Sequence, residues 1–165
     1  MAPTRIAERI AYGRPVSFEV ETEEPLRLVP RATTALIGRI LVAAIFLVSG
    51  IAKLADTSGT AGYMTAAGIP NAGVLAVIAG IVEIAGGLAI AVGFLGRLAA
   101  LGLICFMIPT TLIFHGFWRF EGAEATLQLA SFMKNLAIIG GLLLLYANGP
   151  GRRSVDARLR RPLDA

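Results

Sequence analysis

Four long apolar blocks, about residues 34–54, 72–95, 97–118 and 125–147, follow one another along the chain with short polar joints between them. Each approaches the roughly 20 residues that a helix needs to cross a bilayer. The pattern therefore predicts an all-α fold, a four-helix transmembrane bundle with short loops. The joint at Gly96-Arg97 is so short that spans two and three must be antiparallel neighbours. The longer joint, Asp56 to Asn71, holds Ser58-Gly59, Gly62, Gly68 and Pro70, which break a spanning helix, with Tyr63 to Ala67 expected as an interfacial turn. Pro109 is expected to loosen span three, its freed carbonyl met by Thr110 or Thr111.

Polar positions inside these blocks carry the rest of the reading. Glu83 lies near the middle of span two, on a stripe made by Gly73, Ala76, Gly80 and Gly87 at intervals of three and four. An ionised carboxylate at that depth costs about 2.5–3.5 kcal/mol on insertion scales, so it must be neutral or paired within protein. Small residues let a second helix come close. In span one, Arg39, Ala43, Phe46, Gly50 and Lys53 share one face, the two cations about 21 Å apart along the axis. Snorkelling toward the headgroups is the plain alternative for both. Span three ends in Phe114-His115-Gly116-Phe117-Trp118, where Trp118 suits an interfacial aromatic belt. Span four carries Gln128, Ser131, Lys134 and Asn135 in its first half, unlike a helix that faces lipid alone.

Composition places the chain and removes alternatives. With 56% hydrophobic and 16% charged residues in 165, and a mean hydropathy of +0.73, it is too apolar for an ordinary soluble domain. Residues 1–33 carry ten charges and no apolar core of signal-peptide length, so they are expected to form a polar cytoplasmic tail. Val16 to Glu21 alternates and is expected to form one strand or to stay extended. Residues 148–165 form a basic tail. Five Lys/Arg residues in each tail and one in the joint between spans two and three, against Arg119 alone on the other side, place both termini in the cytoplasm of a multi-pass inner-membrane protein. That asymmetry accounts for the +4 charge without nucleic acid. A single cysteine, Cys105, excludes an internal disulfide, and one histidine excludes bis-imidazole haem ligation. No Cys/His cluster suits a metal.

Depth along the helices puts Glu83 and Lys134 about 15 Å below the outer face, with Lys53 and His115 nearer to it. A Glu83–Lys134 ion pair is expected, Lys53 being the competing or additional partner. Asn135, Gln128 and Arg39 complete the expected polar core, Arg39 alone in the inner half. Such a cationic, donor-rich pocket suits an anionic or carbonyl-bearing ligand such as a quinone, with His115 as proton donor and acceptor stacked with Trp118 or Phe114. The other reading is a register-fixing polar core in a non-catalytic anchor or assembly subunit. A continuous path for protons or anions is disfavoured, since Gly86–Gly93 and Ile138–Leu145 are nearly free of polar groups.

At these residues the chain resembles the DoxX family. The matching stretches are Arg39 to Leu54, Glu83 to Ala100, the His115-Gly116-Phe117-Trp118 end and Phe132 to Asp156, which closes on Gly149-x-Gly151-x-x-Ser154-x-Asp156. The resemblance implies a four-helix membrane subunit of an oxidoreductase system. Some members are associated with thiosulfate to quinone electron transfer and others with thiol and superoxide defence. No covalently bound cofactor is expected, so redox chemistry would draw on quinone and on a protein partner carrying a redox cofactor or thiol. The expected surroundings are the lipid bilayer and that partner, with a homo-oligomer as a further option.

Overall fold

The computed structural model describes residues 30–160. The Val16 to Glu21 segment and most of the N-terminal tail lie outside them. A backbone in hydrocarbon must satisfy its own polar groups, and the apolar blocks do so as helices. These are α1 (Arg31–Ala55), α2 (Thr57–Ala66), α3 (Ala72–Val92), α4 (Gly96–Phe114) and α5 (Gly122–Asn148), with a 3-10 turn at Phe117–Arg119 and a short α6 (Val155–Leu159). The helices α1, α3 and α5, together with α4 and its 3-10 extension, are long and apolar enough to cross a membrane. Four passes bring the start of α1 and the end of α5 to one end of the bundle, the terminal end. The α2 helix and the 3-10 turn lie at the opposite, distal end.

The bundle is two tight pairs with a looser seam. Helix α1 packs along α3, and α4 along α5, whereas α1 and α5 barely touch. The first pair owes its closeness to glycine. A Cβ on Gly50 would stand 2.7 Å from the Gly80 carbonyl oxygen, and one on Gly87 3.3 Å from that of Ala43. Where the pairs meet, Ala43, Phe46, Ile90, Leu103, Met107 and Leu142 form the core. Large apolar side chains such as Leu41 and Leu144 are nearly 70% exposed, an arrangement suited to lipid rather than water.

One joint and one helix interior differ from the sequence expectation. Residues Thr57–Ala66 form a full helix rather than one turn, because Asp56 caps it, its carboxylate accepting the Gly59 N–H at 2.8 Å. Below α2, Met64, Ala72, Ala76 and Ala79 make a second small core. At Pro109, Thr110 Oγ1 donates to the Phe106 carbonyl, and Thr111 Oγ1 accepts from Asn135, so neither hydroxyl turns to the Cys105 carbonyl that Pro109 leaves free.

At the terminal end the chain after α5 folds back onto the bundle instead of trailing away. Asp156 accepts the backbone N–H groups of Leu95 and Gly96 at 2.8 and 2.9 Å, at the N-terminus of α4. Leu95 has a left-handed φ of 47°, a strained conformation for a branched side chain that these bonds hold in place. Ser154 caps α6 by accepting the Ala157 N–H.

Candidate functional site

The distal half of the bundle contains an acid and a base in contact. Lys53 Nζ lies 2.8 Å from Glu83 Oε2 and 3.1 Å from Oε1, and 2.6 Å from Ser49 Oγ, so its three N–H donors are matched by three oxygens. Glu83 is 5% exposed. Glycines 50 and 80 bring α1 and α3 close enough for the pair to form. The expected Glu83–Lys134 pair is not formed: Lys134 is exposed on α5 and bonds to no residue among those described.

The reason is the depth at which α1 stops. Leu54 packs on Gly80, about two turns into α3, and α2 covers the remaining height. Lys53, near the end of its helix, therefore lies at the level of Glu83 rather than nearer the surface. Arg39, expected apart from the other polar residues in the opposite half of the bundle, sits almost four turns from Lys53 at the terminal end. There it is 3% exposed and donates to the carbonyls of Ala91, Pro150 and Arg153 at 3.2, 2.6 and 2.8 Å. It neither snorkels nor joins the distal site. It fastens the C-terminal segment to α1 and α3.

His115, at the end of α4, is oriented by α5. Its Nδ1 is 2.9 Å from Gln128 Oε1, and Gln128 Nε2 donates to Glu124 Oε1 at 2.8 Å. A carboxylate only accepts, so Glu124 fixes which end of the Gln128 amide faces the imidazole. The Gln128 oxygen then requires Nδ1 to be the protonated nitrogen of neutral His115, and Nε2 presents a lone pair. No described residue bonds to Nε2.

Two adjoining cavities open beside these groups. One, of about 150 Å³, is lined by Ser49, Lys53, Glu83 and Asn135 with apolar Phe46 and Ile138. The other, of about 160 Å³, is lined by Tyr63, Met64 and Phe114 under α2. Lys53, Phe106, Thr110 and His115 border both. Tyr63 and Phe114 stack with ring centroids 5.3 Å apart, making one aromatic wall. Each lobe is below the ~300 Å³ at which drug-sized pockets begin, so the space suits one small ring or a few waters.

The structure thus brings together Lys53, Glu83, His115, Gln128 and Asn135, and leaves out Lys134, Arg39 and Trp118. Trp118 is 58% exposed and packs edge-on against Phe117 and Phe132, in the distal aromatic belt rather than at the cavity. Ser49, Thr110, Phe106, Tyr63 and Glu124 were not among the sequence candidates. Ser49 and Glu124 each stand four residues before a candidate, a spacing that puts them on the same helix face. Asn135 donates to Thr111 at 3.0 Å and keeps one amide hydrogen for the cavity. Among the described residues, no group of acids, His and Cys is disposed to hold a metal ion.

The DoxX family profile matches residues 34–116. Inner membrane protein YphA of Escherichia coli is 35% identical over 128 residues, covering 78% of this chain and 91% of the relative. Inner membrane protein YqjF of the same organism is 40% identical over 126 residues, covering 76% and 92%. Uncharacterized membrane protein Rv3486 of Mycobacterium tuberculosis is 33% identical over 138 residues, covering 74% and 79%. No solved structure matches.

Proposed function

The chain belongs to the DoxX family of multi-pass membrane proteins, and from that premise we propose that it is the membrane subunit of an oxidoreductase system, engaging a quinone or its reduced form in the distal cavity. The observation that carries this reading is His115, held at Nδ1 by Gln128 and bordering both lobes beside the Lys53–Glu83 pair. The lone pair on Nε2 accepts a hydrogen bond from a quinol hydroxyl. A quinone carbonyl is itself an acceptor and binds Nε2 only after the imidazole has taken a proton. Asn135 supplies the free amide hydrogen, and Phe106, Tyr63 and Phe114 supply aromatic faces for the ring. Lys53 is saturated by Glu83 and Ser49, so its role is to hold the acid and the cavity wall in place. Side chains of these types do not store an electron pair, and a protein partner carrying a redox cofactor or thiol completes the reaction.

A second reading rests on a different observation. Among the described residues, no buried side-chain polar atom lacks a partner, which suits a core whose purpose is to fix helix register in an assembly subunit. Equilibrium binding of a short-chain benzoquinol to the purified protein separates the two. His115→Leu is expected to weaken binding at least tenfold, and Trp118→Phe to leave it unchanged. Equal binding by both variants, or none by the wild type, would overturn the quinone reading and leave the assembly reading.

A further inference from the structure

The seam between α1 and α5 is open at the terminal end, and its shape and charge select an occupant. A groove of about 770 Å³ runs there along Arg31, Thr34, Gly38 and Val42 of α1 and Gly141, Leu144 and Leu145 of α5. Gly38 has no atom within 4 Å of where a Cβ would stand, and Gly141 meets only Val42, at 3.4 Å. Two glycines facing an unfilled seam leave a slot that is apolar along its length. The slot runs ~16 Å along α1 from Arg31 to Val42.

The mouth of the slot is positive. Arg31 is exposed there, and Arg39 forms part of the wall with its guanidinium held by three backbone carbonyls and no carboxylate. Those bonds satisfy donors but leave the unit charge in place. Among the described residues, the one acid at this end, Asp156, accepts from the amides of Leu95 and Gly96 and also acts on the charge of Arg39, so the cation that the mouth itself presents is Arg31. Thr34 and Asn148 add polar groups at the same level. An apolar slot with a cationic mouth at the level of a membrane interface matches one chemistry, an acyl chain joined to an anionic phosphate.

We propose that the α1–α5 groove is a binding site for one anionic phospholipid, its phosphate beside Arg31 and Thr34 and an acyl chain lying along Gly38, Val42, Gly141 and Leu145. The site is independent of the distal cavity and stands whether or not a quinone binds there. The lipid supplies the packing that α1 and α5 do not give each other.

Native mass spectrometry of the full chain, delipidated in detergent and titrated with phosphatidylglycerol or phosphatidylcholine, tests this. The wild type is expected to retain one phosphatidylglycerol at concentrations about tenfold below those needed for phosphatidylcholine. Arg31→Gln, at an exposed position, is expected to abolish that preference while keeping weak binding of both lipids. Gly38→Leu, with open space for its side chain, is expected to abolish retention of both while thermal unfolding shows a folded protein. Equal retention of the two lipids by the wild type, or phosphatidylglycerol retention unchanged by both substitutions, would overturn the proposal. The same holds if the wild type retains none, which would mean that other protein, including the chain before Arg31, fills the groove.

Discussion

Removing Lys53 leaves Glu83 in a place it cannot leave. The Glu83 side chain is 7% exposed and that of Lys53 23%, so the acid is the more trapped partner and the lysine can swing toward the distal surface. Lys53→Met keeps the volume and deletes the charge. Breaking a buried pair in this way costs about 3–5 kcal/mol. For a chain of this size each kcal/mol moves the melting temperature by about 2–4 °C, giving a drop of ~6–20 °C. Glu83→Leu strands the mobile partner and is expected to cost less. The double variant Lys53→Met/Glu83→Leu leaves no charge to compensate and is expected to be more stable than Lys53→Met alone, with a coupling of at least ~2 kcal/mol. Thermal unfolding in mixed micelles, followed through Trp118, the single tryptophan, reads all four proteins. Single substitutions that each cost under ~1 kcal/mol and add in the double variant would falsify the claim that this pair is buried and coupled.

Other parts of the structure give equally direct expectations. Gly50→Val should lower stability by about 1–3 kcal/mol, since its side chain meets the Gly80 backbone, whereas Gly102→Ala, with open space at its Cβ, should be neutral or slightly stabilising in the same unfolding assay. Asp156→Asn should weaken the grip on Leu95 and Gly96 and raise tryptic cleavage at Arg152 and Arg153 at least about tenfold, an opening easier by ~1.4 kcal/mol. Unchanged cleavage would mean that Asp156 does not hold the segment down. The charge asymmetry of the joints predicts a fluorescent C-terminal fusion to green fluorescent protein and an active alkaline phosphatase fused after Glu121. The reverse pattern would invert the bundle.

What the sequence made legible was whatever depends on composition within one helix. Four apolar blocks of spanning length are enough to specify the four-helix architecture, and Gly80 and Gly87 of the small-residue stripe around Glu83 mark the face that meets α1. The partner of Glu83 depends on how two helices are offset, and that offset is set elsewhere. Counting residues inward from the ends of spans treats each end as a membrane surface. That assumption fails for α1, which ends at Ala55 below the height reached by α3, and α2 completes the distance because Asp56 caps it. Lys134 then has the depth expected of it but lies on an exposed face. The fold-back at the terminal end was written in the Ser154-x-Asp156 sequence, yet its meaning needs Arg39 and the left-handed turn at Gly93 to Leu95, more than fifty residues away in the chain. The distal cavity is likewise a product of assembly, since Lys53, Phe106 and His115 come from two different helices and the end of one of them.

The single histidine offers a direct reading of the proposed ligand site. With only His115 in the chain, ¹⁵N-histidine labelling of the purified protein yields one imidazole, observable in micelles at a pH where imidazole is neutral. The geometry predicts a proton on Nδ1 and a bare Nε2, with the Nε2 resonance moving when a short-chain quinol is added and not moving with its dimethyl ether, which has no hydroxyl to donate. A proton found on Nε2 instead, or a resonance indifferent to the quinol, would contradict the reading of His115 as the group that meets the ligand.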